Sequence, residues 1–229
     1  DRLTRIAAVL AQHAHADWRV TLDGNESFAS TAALSELWQR LAATPALVEL
    51  LKRTLILEQP LPRQIALREP VKALTIGVPL ILDEADDHAE AFEAGIALGY
   101  RGISTKACKG LYRSLRSAQR VAQSGGQLLL SGEDLTCQAG LAVQQDTLLA
   151  ASLGVTHIER NGHHYVDGFG TASHDEAQAF GEAHAGFYAE SNGRTRLAIV
   201  DGRLDLRSLH VPGFASAATP RWDTLTPIS

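Results

Sequence analysis

The strongest constraint in this sequence is an alternation. Six short runs rich in β-forming residues lie at 18–23 (WRVTLD), 54–58 (TLILE), 79–83 (PLILD), 101–106 (RGISTK), 127–134 (QLLLSGED) and 155–159 (VTHIE). Between them, 30–53, 63–74, 88–99, 111–126 and 137–154 carry apolar residues near helical spacing, with glycine as a stop signal. Strictly alternating βα units imply parallel strands joined by right-handed crossovers, and connections of this length close into a TIM-type (β/α) barrel. The fold class expected is therefore α/β. Six units are present where an eight-stranded barrel needs eight, and the chain contains no methionine. The first two strands are accordingly expected to precede Asp1. Residues 1–190 read as the barrel, strands three to eight with their helices. Residues 191–229 read as a C-terminal hairpin, turning at Asp201–Gly202, and a tail that packs back.

Composition excludes several classes of function. A chain of 229 residues, 45% apolar and 21% charged, is globular with room for a substantial core. A formal charge of -5 without a long basic run argues against nucleic acid as a partner. No apolar stretch approaches the roughly 20 residues of a membrane helix, and no signal-peptide pattern is present. Cys108 and Cys137 stand far apart, outside any CxxC spacing. Reduced thiols in a cytoplasmic protein are the expectation.

A barrel strand turns alternate residues toward the outer helices, and its C-terminal end opens on the active-site face. In the first run Val20 and Leu22 share the helix-facing parity, which leaves Asp23 inward. Leu55 and Leu57 likewise leave Glu58, Leu80 and Leu82 leave Asp83, and Ile103 and Thr105 leave Lys106. By the same test Glu84 points away. Three carboxylates at one mouth repel one another unless a hard cation lies between them. Oxygen-only ligands suit Mg²⁺, with Mn²⁺ as a substitute.

The segments LDGNE (22–26), LEQPLPR (57–63), LDEAD (82–86) and ISTKACKGL (103–111) resemble, in order, the strand-end motifs of the enolase superfamily, in the mandelate racemase/muconate lactonizing enzyme branch. The resemblance covers most of residues 1–170. It implies that Asp23, Glu58 and Asp83 bind the catalytic Mg²⁺ and that Lys106 is the base that removes a proton α to a carboxylate, giving an enediolate. It implies an isomerase or lyase: a racemase or epimerase, a cycloisomerase of the muconate lactonizing type, or a dehydratase. The expected partners are a small carboxylate substrate and further copies of the chain. The family's K-x-K motif and its N-terminal α+β capping domain have no counterpart here and are expected before Asp1, with the tail packing on the barrel or on that cap.

Weaker candidates complete the set. Lys109 resembles a loop lysine of the family and is a candidate substrate contact, as are Glu133 and, in ERNGHHY (159–165), Asn161 and His163. Asp134 ends the same run as Glu133, and the adjacent side chains of His163 and His164 diverge, which disfavours a shared metal. Asn25, two residues past Asp23, reads as a group behind the metal ligands. Two alternatives stay open. A non-catalytic metal-binding scaffold of the same superfamily would keep the ligands without turnover. A different metal-dependent barrel, an aldolase or hydrolase, would need histidines at strand ends, and the first four runs carry none.

Overall fold

The structure, a computed structural model, describes residues 1–133, 139–159 and 166–224. Five of the six expected strands form: β1 (Val20–Asp23), β2 (Thr54–Glu58), β3 (Leu80–Leu82), β4 (Gly102–Thr105) and β5 (Leu129–Gly132). They are ordered β1-β2-β3-β4-β5 in one sheet, and the first three pairs are parallel. Sequential order with helical crossovers is the arrangement of successive barrel units. The sixth run forms no regular strand; it contributes one parallel bridge, Glu133 to Glu159.

The chain divides into two compact units. The first comprises Asp1–Ser104 and Arg116–Leu130. Its helices are α1 (Arg2–His13), α2 (Thr31–Ala42), α3 (Val48–Lys52), α4 (Arg63–Ala66) and α5 (Ala91–Leu98). The Ser30 hydroxyl caps α2 by accepting from Ala33 N–H at 3.2 Å. The helix then buries Leu34 and Trp38, one turn apart, against Leu57, Leu80, Leu82 and Ile103. These are the residues that period-two parity turned toward the helices, and each fully buried aliphatic side chain contributes about 1.5–3 kcal/mol. Leu55 has the same parity yet is 46% exposed. The long interval between Asp23 and Glu58 holds two helices, α2 and α3, joined by a single 3-10 turn at Pro45–Leu47. The stretch 63–74 was expected to be one helix but yields only α4. Pro70 disfavours helical backbone at Glu69 and offers no N–H of its own.

The second unit comprises Thr105–Leu115 and residues 131 onward. It contains α7 (Leu141–Ser152), α8 (His174–Ala183) and a hairpin of β6 (Tyr188–Ser191) and β7 (Arg194–Leu197). Helix α6 (Leu111–Ala122) begins in this unit and ends in the first. Ser173 caps α8, its hydroxyl accepting from Glu176 N–H at 3.2 Å. The helix ends at Ala183, and Tyr188–Ser191 form β6. The hairpin turns on Asn192–Gly193, with φ of 51° and 70°, the left-handed pair that a two-residue turn requires. The Asp201–Gly202 turn expected to carry it closes one bridge, Val200 to Arg203.

His184, fully buried behind α8, ties the C-terminal segment to this core. Its Nδ1 lies 3.0 Å from Ser208 O, and its Nε2 accepts from Ala217 N–H at 3.0 Å. That pairing requires a neutral ring, and burial lowers its pKa below 6.5. The stability this neutral ring contributes is present above pH 6.5, the unfolded value, and is lost as pH falls through the lower folded value. The protection factor of the Ala217 N–H against hydrogen exchange is expected to fall as pH drops through the lowered His184 value, and protection independent of pH would contradict it.

Candidate functional site

At the ends of β1 and β2 the backbone continues to pair beyond the strands. Asp23 lies opposite Glu58, then Gly24 N–H donates to Glu58 O at 2.8 Å and Glu26 N–H to Gln59 O at 2.8 Å. Gly24 permits this approach, because a Cβ there would stand 2.6 Å from Pro60 Cα. The Asp23 carboxylate is then oriented by its neighbour. Its Oδ1 accepts from Asn25 N–H at 2.8 Å, and its Oδ2 from the Asn25 amide at 3.3 Å. Asn25 thus donates to both oxygens of the Asp23 carboxylate. Asn25 and Glu26 both have left-handed backbone, φ 40° and 60°, and Glu26 is held there by Arg63, Nη2 to Oε2 at 2.8 Å. The guanidinium holds the Glu26 carboxyl below the usual carboxylate range.

The second connection is made by Gln59, which is fully buried with φ of 29°. Its side-chain Oε1 accepts from Asp83 N–H at 2.8 Å and Ala85 N–H at 3.2 Å, while its Nε2 donates to Leu61 O at 2.7 Å. One amide thus ties the end of β2 to the end of β3. Glu58 and Asp83 are buried, 3% and 5% exposed, and bring carboxylate oxygens within 4.8 Å of each other. Two negative charges at that separation repel by about 3 kcal/mol at an effective dielectric near 20. Since Glu58 is in register with Ile81, Asp83 lies two residues further along β3's line and shares the face of Glu58 and Asp23.

Glu84, beyond the end of β3, is partly buried. Burial raises its carboxyl pKa, and the charges of Asp83, Asp23 and Glu26 add to the effect. Its buried Oε2 has no hydrogen-bond partner among the described residues. Oxygen-only donors, two of them buried and within 4.8 Å of one another, fit a hard divalent cation.

In the second unit, Lys106 is the first residue after β4 and is 5% exposed. Its Nζ is 2.9 Å from Glu133 Oε2. Glu133 follows β5, and its N–H donates to Thr105 O at 3.3 Å. Lys109 closes the next turn, its N–H donating to Lys106 O at 3.1 Å. Asn161, His163, Asp134 and His164 lie outside the described residues.

The fold is a partial (β/α) barrel. Its structural neighbours are members of the mandelate racemase/muconate lactonizing enzyme family. A mandelate racemase/muconate lactonizing protein from Herpetosiphon aurantiacus matches 87% of this chain at 19% identity and a TM-score of 0.55. The muconate lactonizing enzyme from Pseudomonas putida matches 69% at 18% identity and a TM-score of 0.51. The chain spans 52% and 42% of those two proteins. No protein-family model and no curated protein matches the sequence. Among the described residues no helix is long and apolar enough to cross a membrane.

Proposed function

We propose that this chain is the barrel portion of a Mg²⁺-dependent enzyme of the mandelate racemase/muconate lactonizing type, which removes a proton α to the carboxylate of a small substrate. The observation that carries the reading is the register. Asp23, Glu58 and Asp83 occupy one face at the ends of three neighbouring parallel strands, and Lys106 follows the fourth. Asp23, Glu58 and Asp83 would hold the cation; Mn²⁺ suits the same donors. When bound, it offsets the charge that develops on a substrate carboxylate as its α-proton leaves. Lys106 takes that proton on Nζ, and Glu133, 2.9 Å away, stabilises the ammonium formed. Burial of the lysine keeps water from competing for the proton. Lys109, Asn161 and His163 are assigned to substrate binding. Racemisation, epimerisation, cycloisomerisation and dehydration all share this first step.

The test is α-proton exchange with D₂O, followed by NMR over a panel of small carboxylates, using the intact protein with and without Mg²⁺. Mg²⁺-dependent exchange supports the reading. The Lys106–Glu133 ion pair favours a second one, a non-catalytic metal-binding scaffold, because it engages the lysine Nζ within the protein; Mg²⁺ binding with no exchange on any substrate would establish it. Asn25→Ala checks the orientation of Asp23 separately. Removing the side-chain amide, one of the two Asn25 donors that orient Asp23, is expected to weaken Mg²⁺ binding about 10-fold by calorimetry. Unchanged affinity would mean that the backbone N–H of residue 25 suffices to orient Asp23.

A further inference from the structure

We infer that Asp146, in the middle of α7, is the positioning residue for Lys106; the inference rests on the proposed role of that lysine. The chain changes conformation at Lys106. The residue itself is extended, φ −154° and ψ 153°, and a 3-10 turn begins at Ala107. The first N–H groups of such a turn have no partner within it, so the one at Ala107 must be satisfied from elsewhere. Asp146 Oδ1 accepts it. Asp146 is buried, and its helix is anchored three residues earlier by Val143, which packs with Phe169, Phe180 and Phe187.

The other side of the lysine is held as well. Thr105 Oγ1 donates to Ser114 Oγ at 3.0 Å, and Ser114 Oγ to Gly110 O at 3.2 Å. The peptide carrying Lys106 is thus fixed on both flanks, by α7 and by the first turns of α6. Nζ stands at the end of a four-carbon lever, so a small rotation of the Lys106–Ala107 peptide moves it far relative to Glu133 Oε2. Fixing the direction of a reacting group matters to rate, because a misplacement of about 1 Å costs about 10²-fold.

Asp146→Asn keeps the Oδ1 acceptor, Asp146→Leu removes it at similar volume, and Asp146→Ser withdraws it out of reach. Two readouts are taken on the intact protein: hydrogen exchange at Ala107 N–H, and kcat, KM and the pH profile for α-proton exchange on the carboxylate that the D₂O panel identifies. Asn is expected to retain Ala107 protection, and kcat within a few-fold of wild type. Leu and Ser are expected to lose that protection and about 10² in kcat, with a shifted pH profile and KM within a few-fold. The Ser variant decides the matter if Leu does not fold. Ala107 protection or kcat unchanged in Ser, or Asn as impaired as Ser, overturns the inference. Lys106→Ala run alongside separates the two claims: full exchange in that variant refutes the lysine's role, while Ala107 protection still judges the contact with Asp146.

Discussion

Lys106→Ala in the intact protein is expected to abolish α-proton exchange at one face of the substrate, a loss of about 10²–10⁴ in rate, with Mg²⁺ affinity nearly unchanged. The separation follows from the chemistry of the side chain. An ammonium or amine is not among the hard oxygen donors that Mg²⁺ selects, so its removal leaves Asp23, Glu58 and Asp83 intact. Lys106→Arg sharpens the test. Guanidinium keeps the charge opposite Glu133 but stays protonated, so it cannot accept a proton. Equal inactivity of both variants identifies a base; activity retained by arginine alone identifies an electrostatic clamp. If the reaction uses two bases, the alanine variant continues to exchange the α-proton of one enantiomer only. Full activity in alanine would exclude Lys106 from the chemistry and redirect the search to Glu133, His163 and His164.

The elements of this prediction were legible in the sequence to very different degrees. Strands β1 to β4 were readable because each pairs period-two alternation with a charged residue at its end, and Leu57, Leu80, Leu82 and Ile103 do bury against helices. The strand-end acids and Lys106 come from the same arithmetic. Gln59 was missed. Its role depends on a left-handed backbone just past β2, which aims the amide across at β3, and no periodicity encodes that direction. Helix α1 was also missed, although Ala7 is buried with Leu47 and Leu50. In the tail, two Asx–Gly pairs competed for the hairpin, and the β-forming residues around Asp201–Gly202 favoured the wrong one. Asp146 gave no signal at all, because a single acid within a helical pattern reads as a solvated face.

Gln59→Leu is expected to be the most destabilising single change in the first unit. Leucine is close to glutamine in volume, so the substitution creates little cavity. What it removes is the partner of three buried backbone groups: the N–H of Asp83, the N–H of Ala85 and the C=O of Leu61. Each buried group left unsatisfied costs about 1–3 kcal/mol, so the loss over three groups is expected at about 3–9 kcal/mol. A domain of this size is stable by only about 5–15 kcal/mol, which makes that a large fraction of the whole. Urea unfolding of the intact protein should show the midpoint lowered at constant m-value. The metal supplies a second readout. Gln59 joins the ends of β2 and β3, where Glu58 and Asp83 stand, so whatever folded protein remains should bind Mg²⁺ more weakly and be stabilised less by it. A midpoint corresponding to less than about 1 kcal/mol would mean that other groups satisfy these backbone atoms. An unchanged Mg²⁺-induced shift would mean that Asp83 keeps its place without the amide, and the tie between the two strand ends would then owe nothing to Gln59.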